Sequence, residues 1–186
     1  MAGKVIVITG ANGGLGRALS QRFVRDGETV VMLGRSFDKV AEVAASIGEG
    51  AMPLACDVSS ADSVRAAFAE IAKTHPKIDV LINNAGMFQP FTIAEASDAQ
   101  VMDSIMANFA GPVFTSRSAI PMMERGSLII NVSSESVVVP LAHLLMYQST
   151  KAALERFTLG LAEELEDTGI RTCVVRAGQM LSLIHI

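Results

Sequence analysis

Val5-Ile6-Val7-Ile8-Thr9-Gly10-Ala11-Asn12-Gly13-Gly14-Leu15-Gly16-Arg17 decides the fold. Four apolar residues and a threonine, all β-branched, read as a strand buried on both faces. The glycines that follow let the chain turn sharply into a helix beginning near Leu15. Such a turn brings main-chain N–H groups close to a pyrophosphate and aims a helix N-terminus at it. Gly10, Asn12, Gly13, Gly14, Leu15 and Gly16 are therefore the first candidate cofactor-binding residues. No Gly-Lys-Ser/Thr ending follows, which excludes a P-loop nucleotidase.

Outward from this turn, short β-rich runs alternate with segments of helical period. Strands are expected at Val5–Thr9, Thr29–Leu33, Ala51–Cys56, Val80–Ile82, Leu128–Val132 and Arg171–Val175. Helices are expected at Leu15–Asp26, Phe37–Ile47, Ala61–Thr74, Asp98–Met123 and Met146–Thr168. Six strands with intervening helices predict an α/β fold, a Rossmann-like doubly wound parallel sheet. With no linker or repeat, residues 1–180 read as one dinucleotide-binding domain.

Composition narrows the function. The 186 residues are 50% hydrophobic and 18% charged, with a formal net charge of −4, which suits a packed core and disfavours a nucleic-acid or anionic-membrane partner. The two cysteines, Cys56 and Cys173, form no metal-binding or disulfide pattern, and no leader or spanning segment is read. A cytoplasmic location is expected. His75 and His143 have no ligand spacing, so no metal site is expected, and no Gly-x-Ser-x-Gly elbow supports a serine hydrolase. Met87, Met146 and Met180 are candidates for an apolar substrate wall. Leu181-Ser182-Leu183-Ile184-His185-Ile186 reads as the translation of a sequencing-adapter end, so residues 181–186 are expected to be a non-native tail.

The spacing of Gly10, Gly14 and Gly16 resembles the T-G-x-x-x-G-x-G motif of the short-chain dehydrogenase/reductase family. Asp57-Val58 follows the third strand and resembles the family's adenine-side pair. Asn83-Asn84-Ala85-Gly86 matches its N-N-A-G motif, and Asn108, Ser134, Tyr147 and Lys151 match its catalytic quartet in order. The resemblance implies cofactor contacts from Asp57, Val58, Asn84, Ala85, Gly86, Tyr147, Lys151 and Gly178. It also implies a homo-oligomeric full-length form. Arg176-Ala177-Gly178 stands where the family has Pro-Gly, and the family's covering loop and last strand are missing from the reading, so the chain is expected to be C-terminally truncated.

The second strand ends in Gly34-Arg35-Ser36, with no acid to accept from a ribose 2′-hydroxyl. Arg35, with Ser36 as a second donor, favours a 2′-phosphate and hence NADP(H), with NAD(H) the alternative. Tyr147 and Lys151 lie four residues apart on one helical face. A phenol is a weak base at neutral pH, and an adjacent ammonium assists its proton transfer. Ser134, at the carboxyl end of the fifth strand, is placed to orient a substrate oxygen. By resemblance, Asn108 holds a water that continues the lysine's proton path.

Each residue alone has an ordinary explanation: a core edge, a solvated lysine, a cap, a helix amide. Their joint order argues against that, and the resemblance implies hydride transfer between NADP(H) and a ketone or secondary alcohol. A dinucleotide-binding fragment without turnover, and an isomerase or dehydratase on the same scaffold, are the alternatives.

Overall fold

The computed structural model describes residues 3–178. Strands β1 (Val5–Thr9), β2 (Thr29–Gly34), β3 (Ala51–Ala55), β4 (Val80–Asn83), β5 (Leu128–Ser134) and β6 (Arg171–Ala177) form one parallel sheet in the order β3-β2-β1-β4-β5-β6. The chain leaves β1 toward β2 on one side and later returns to β4 on the other. That reversal opens a crevice at the carboxyl ends of β1 and β4.

Alternation along the central strands feeds two cores. Ile6, Ile8, Val30, Met32 and Ile82 pack on one face, beneath Leu15, Leu19, Phe23, Val40 and Ala44 of α1 (Gly14–Arg25) and α2 (Phe37–Ile47). Val7, Val31, Leu33, Leu81 and Ile129 face the other way, toward Val64, Phe68 and Ile71 of α3 (Ala61–Thr74), Ala119 of α5 (Gly111–Ala119) and Leu161 of α6 (Leu145–Glu164). This two-sided burial explains why β1 carries no polar alternation. β3 is an edge of the sheet, which tolerates Pro53.

The expected helix over 98–123 is not continuous. α4 (Asp98–Ile105) passes into a π turn at Met106–Ala110, then α5, then a 3₁₀ turn at Ile120–Met122. Pro112 has no N–H for the carbonyl of Asn108, four residues earlier, and the Gly111 N–H reaches back to the Met106 carbonyl instead. The Gly111-Pro112 pair carried this signal in the sequence. Strands β2, β4, β5 and β6 also run one or two residues past their expected ends. The adapter-like tail at 181–186 and Met180 lie outside the described residues.

Candidate functional site

Gly10 adopts φ +63°, and a methyl placed there would sit 2.9 Å from the Ala85 Cα. At Gly16 a Cβ would collide with the Gly10 carbonyl and lie 2.8 Å from the Ala11 Cα. These two glycines pack the turn on itself and against Asn84 and Ala85, just after β4. Asn84 closes the junction: its side-chain amide donates to the Thr9 carbonyl at 2.9 Å and the Gly10 carbonyl at 3.2 Å, and Thr9 Oγ1 accepts from the Asn84 and Ala85 amides. Gly14 differs, because a Cβ there would meet nothing within 4 Å. No side chain caps α1, whose N-cap is Gly13.

The turn borders a cleft of about 490 Å³ lined by Gly10, Asn12, Gly13, Gly14, Leu15, Arg35, Ser36, Val58, Asn84, Ala85 and Gly86 from the expected set. Gly34, Lys39, Cys56 and Met87 also line it, and sequence reasoning did not assign them to the cofactor. A Cβ on Gly34 would come 2.9 Å from Asn12 Oδ1 and 3.3 Å from the Val40 Cβ, so the glycine lets the Asn12 side chain lie over the end of β2. Lys39 was legible as a first-turn residue of α2, three positions after the N-cap Ser36. The Ser36 oxygen accepts from the Lys39 amide, which leaves its own O–H to donate. Burial, reinforced by Asp57, pushes the Cys56 thiol up to about 11, so it is no nucleophile at neutral pH.

Five expected cofactor residues lie off the cleft lining: Tyr147 and Lys151 at the chemical end, and Gly16, Asp57 and Gly178. Gly16 supports the turn from beneath. Asp57 uses Oδ1 to accept from the Ser59 amide at 3.0 Å and the Ser59 hydroxyl at 2.6 Å. Gly178 sits where a Cβ would come 2.9 Å from Glu135 Oε2, beyond the end of β5.

The chemical end meets the cleft at Gly86. A Cβ on Gly86 would lie 3.0 Å from Asn108 Oδ1 and 3.5 Å from Lys151 Nζ, so this glycine brings both side chains beneath the cleft floor. Lys151 is 4% exposed and donates to the Val132 carbonyl at 2.7 Å. Burial brings its ammonium down to about 8. Its Nζ lies 5.8 Å from the centre of the Tyr147 ring, and Phe88 meets that ring edge-on at 5.3 Å.

The Asn108 side chain is committed to the backbone: Oδ1 accepts from the Met87 N–H at 2.7 Å and Nδ2 donates to the Met87 carbonyl at 2.9 Å. The π turn thus aims Asn108 at the loop after β4 and fixes it there. Each amide atom keeps a second hydrogen-bonding position, a lone pair on Oδ1 and an N–H on Nδ2. Ser134 Oγ accepts from the Ser136 amide at 3.2 Å and the Ser136 hydroxyl at 2.9 Å. His143, between Ser134 and Tyr147, has φ +64°, strained for a side-chain-bearing residue, and its carbonyl accepts from the Phe91 N–H. That bond ties the loop after β4 to the loop before α6.

A buried polar ladder supports this end. Thr115 donates to Asn83 Oδ1, Asn83 Nδ2 donates to Ser116 and Asn131, and Asn131 Nδ2 donates to Thr158. It joins α5, β4, β5 and α6. Among the described residues, no buried side-chain polar atom lacks a partner and no cluster of metal-ligating side chains exists.

A glycine-lined crevice at the switch point of a doubly wound parallel sheet places the chain in the class of Rossmann-like folds. The family model described as short chain dehydrogenase matches residues 4–184, and the chain belongs to that family. It is 35% identical to 3beta-hydroxysteroid dehydrogenase of Mediterraneibacter gnavus over 91% of this chain, and 32% identical to carbonyl reductase family member 4 of Danio rerio over 98%. The chain spans 63% of the first relative's length and 76% of the second's. Among solved structures, 3-ketoacyl-(acyl-carrier-protein) reductase from Brucella melitensis, complexed with NADH, superposes with a TM-score of 0.91 at 29% identity, covering 98% of this chain and 78% of that one. A short-chain dehydrogenase from Streptomyces avermitilis gives 0.92 at 28% identity, covering 100% and 69%. No described helix is long and apolar enough to cross a membrane.

Proposed function

We propose that the protein exchanges hydride between NADP(H) and the carbonyl or carbinol carbon of a small-molecule ketone or secondary alcohol, with Tyr147 as the general acid and base. The observation that carries this reading is the buried Lys151 ammonium beneath Gly86, at the end of the cleft and beside the Tyr147 ring. The residues fit a dinucleotide: the open space over Gly14, the uncapped α1 and a cleft of about 490 Å³ suit an extended anion with two nucleoside ends. When bound, the nicotinamide supplies or accepts the hydride. Gly13, Gly14 and Leu15 receive the pyrophosphate at the start of α1, and Val58 and Ala85 form apolar wall.

Arg35, Ser36 and Lys39 support NADP(H) over NAD(H), since no acid lines the described cleft to contact a ribose 2′-hydroxyl or repel a 2′-phosphate. In reduction, Tyr147 gives its proton to the substrate oxygen while Ser134 donates a hydrogen bond to the same atom. Lys151 assists Tyr147 by its charge. Asn108 holds the Met87 backbone, and with it the loop bearing Gly86 and Phe88, against the lysine. Asp57 and Gly178 act from beside the cleft, the first by fixing the turn after β3 and the second by leaving room next to Glu135. The family's homo-oligomers and a cytoplasmic setting complete the proposal.

The test is NADPH and NADH oxidation against a panel of ketones, with the Tyr147→Phe variant alongside. Tyr147→Phe is expected to lower turnover by ~10²–10⁴-fold with dinucleotide affinity unchanged. Full turnover in Tyr147→Phe refutes the mechanism. Dinucleotide binding with no oxidation of any panel member by the wild type favours the binding-only alternative.

A further inference from the structure

Arg176 occupies the strand end just before the position where the family's Pro-Gly turn begins, and the proposed reaction gives it no role. Its guanidinium grips Glu155 with both ends, Nε to Oε1 at 2.9 Å and Nη2 to Oε2 at 2.7 Å. Ser133, 2% exposed, donates its hydroxyl to the same Oε1 at 2.7 Å. The Arg176 side chain is 47% exposed, while Glu155 is 13% exposed and also holds the buried Ser133, so the bidentate pair is anchored at its carboxylate end.

Position gives the pair its meaning. Val132, Ser133 and Ser134 are consecutive on β5: the first accepts from Lys151, the second donates to Glu155, and the third accepts from Ser136. Lys151 and Glu155 are one turn apart on α6 and therefore share a face. In the sheet, Ser133 pairs with Arg176 and Ser134 with Ala177. Three elements are thus locked together within two rungs of the site, at the strand end where the family's proline would otherwise restrict the backbone.

We propose, on the strength of the hydride-transfer reading above, that Glu155 is a positioning residue: clamped by Arg176 and Ser133, it sets the register of α6 on β5 and β6, which holds Lys151 and Tyr147 opposite Ser134. Glu155 lies two turns along α6 from Tyr147, so its effect is carried by the helix and not by contact. Because the glycine turn after β1 and Arg35 after β2 lie away from β5 and β6, loss of the clamp changes the chemical step more than dinucleotide affinity.

The experiment uses the full chain with Ser133→Ala and Arg176→Met, and with Arg22→Met as a control that removes the exposed Arg22–Asp26 pair. Tyr147 is the sole tyrosine, so ring-labelled tyrosine gives its signal alone in NMR, independent of turnover. Ser133→Ala and Arg176→Met are each expected to displace that signal and to lower kcat ~10–100-fold, with the dinucleotide Kd within about twofold of wild type. Arg22→Met leaves both unchanged. An undisplaced Tyr147 signal in both clamp variants overturns the proposal, as does a fall in kcat matched by an equal loss of dinucleotide affinity. If Tyr147→Phe is inactive while both clamp variants turn over normally, this inference fails alone. If Tyr147→Phe is fully active, the underlying mechanism has failed first.

Discussion

The two ends of the cleft are built from different material. At the dinucleotide end, glycines bring backbone against backbone, and function depends on what is left out: a Cβ at Gly10 or Gly16 has no room, and a Cβ at Gly14 would enter the cleft. At the chemical end, side chains do the work, each held by a second group: Lys151 by the Val132 carbonyl, Asn108 by Met87, Ser133 by Glu155. A backbone-built site leaves its record in residue spacing. A side-chain-built site needs partners that the chain brings from far away.

This contrast gives a series of tests. The largest stability effect is expected from Gly16→Val, because a side chain there meets fixed backbone on Gly10 and Ala11. Denaturant unfolding is expected to show a loss of about 3 kcal/mol, together with failure to bind dinucleotide. Unchanged stability would mean that the turn can open without cost.

At the other end, Lys151→Met probes a buried charge. The folded-state amine is lowered to about 8, so between that pH and its ordinary value the unfolded chain binds more protons and wild-type stability rises with pH. Relative to Lys151→Met, the wild type is expected to gain about 3 kcal/mol across that window, read from paired unfolding curves at pH 8 and at about pH 10.5. Parallel curves would place the ammonium in water. For the same reason, wild-type ketone reduction is expected to decline above about pH 8 as Lys151 loses its proton.

Arg35→Leu sharpens the cofactor side. One charge-assisted contact is worth about 2 kcal/mol, so NADPH affinity is expected to fall ~30-fold while NADH affinity stays level, both followed by nucleotide fluorescence. An equal fall for both would place Arg35 on the pyrophosphate or on neither cofactor's 2′ group. The smallest effect is expected from Gly14→Ala: stability is unchanged, and dinucleotide affinity drops roughly tenfold, about 1.4 kcal/mol. Comparing Gly14→Ala with Gly16→Val separates space kept for a ligand from space taken by the fold.

The sequence made the dinucleotide end legible because strand alternation and glycine spacing are local. Gly10, Gly14, Gly16 and Arg35 lie within one βαβ unit, and their positions follow from it. Lys151 and Tyr147 were legible as a pair for the same reason, since four residues on a helix fix a shared face. The depth of Lys151 was not, because its burial depends on β5 and on the loop after β4 closing over it.

Asn108 shows what periodicity misses. The apolar pattern runs smoothly through 98–123, while Pro112 forces a π turn that re-aims the asparagine at Met87. Read for its missing N–H, that proline would have placed the break. The Arg176–Glu155–Ser133 clamp joins positions up to 43 residues apart across three elements and has no local signature at all.

The most direct measurement of the central claim follows a label. Wild-type protein is given NADPH deuterated at nicotinamide C4 and a ketone substrate, and the product alcohol is analysed by mass spectrometry and NMR. The product is expected to carry one deuterium on the carbinol carbon, from one face of the nicotinamide only, with the hydroxyl proton drawn from solvent through Tyr147. Product formed with the label still on the nucleotide, as in isomerisation or dehydration on this scaffold, would contradict it.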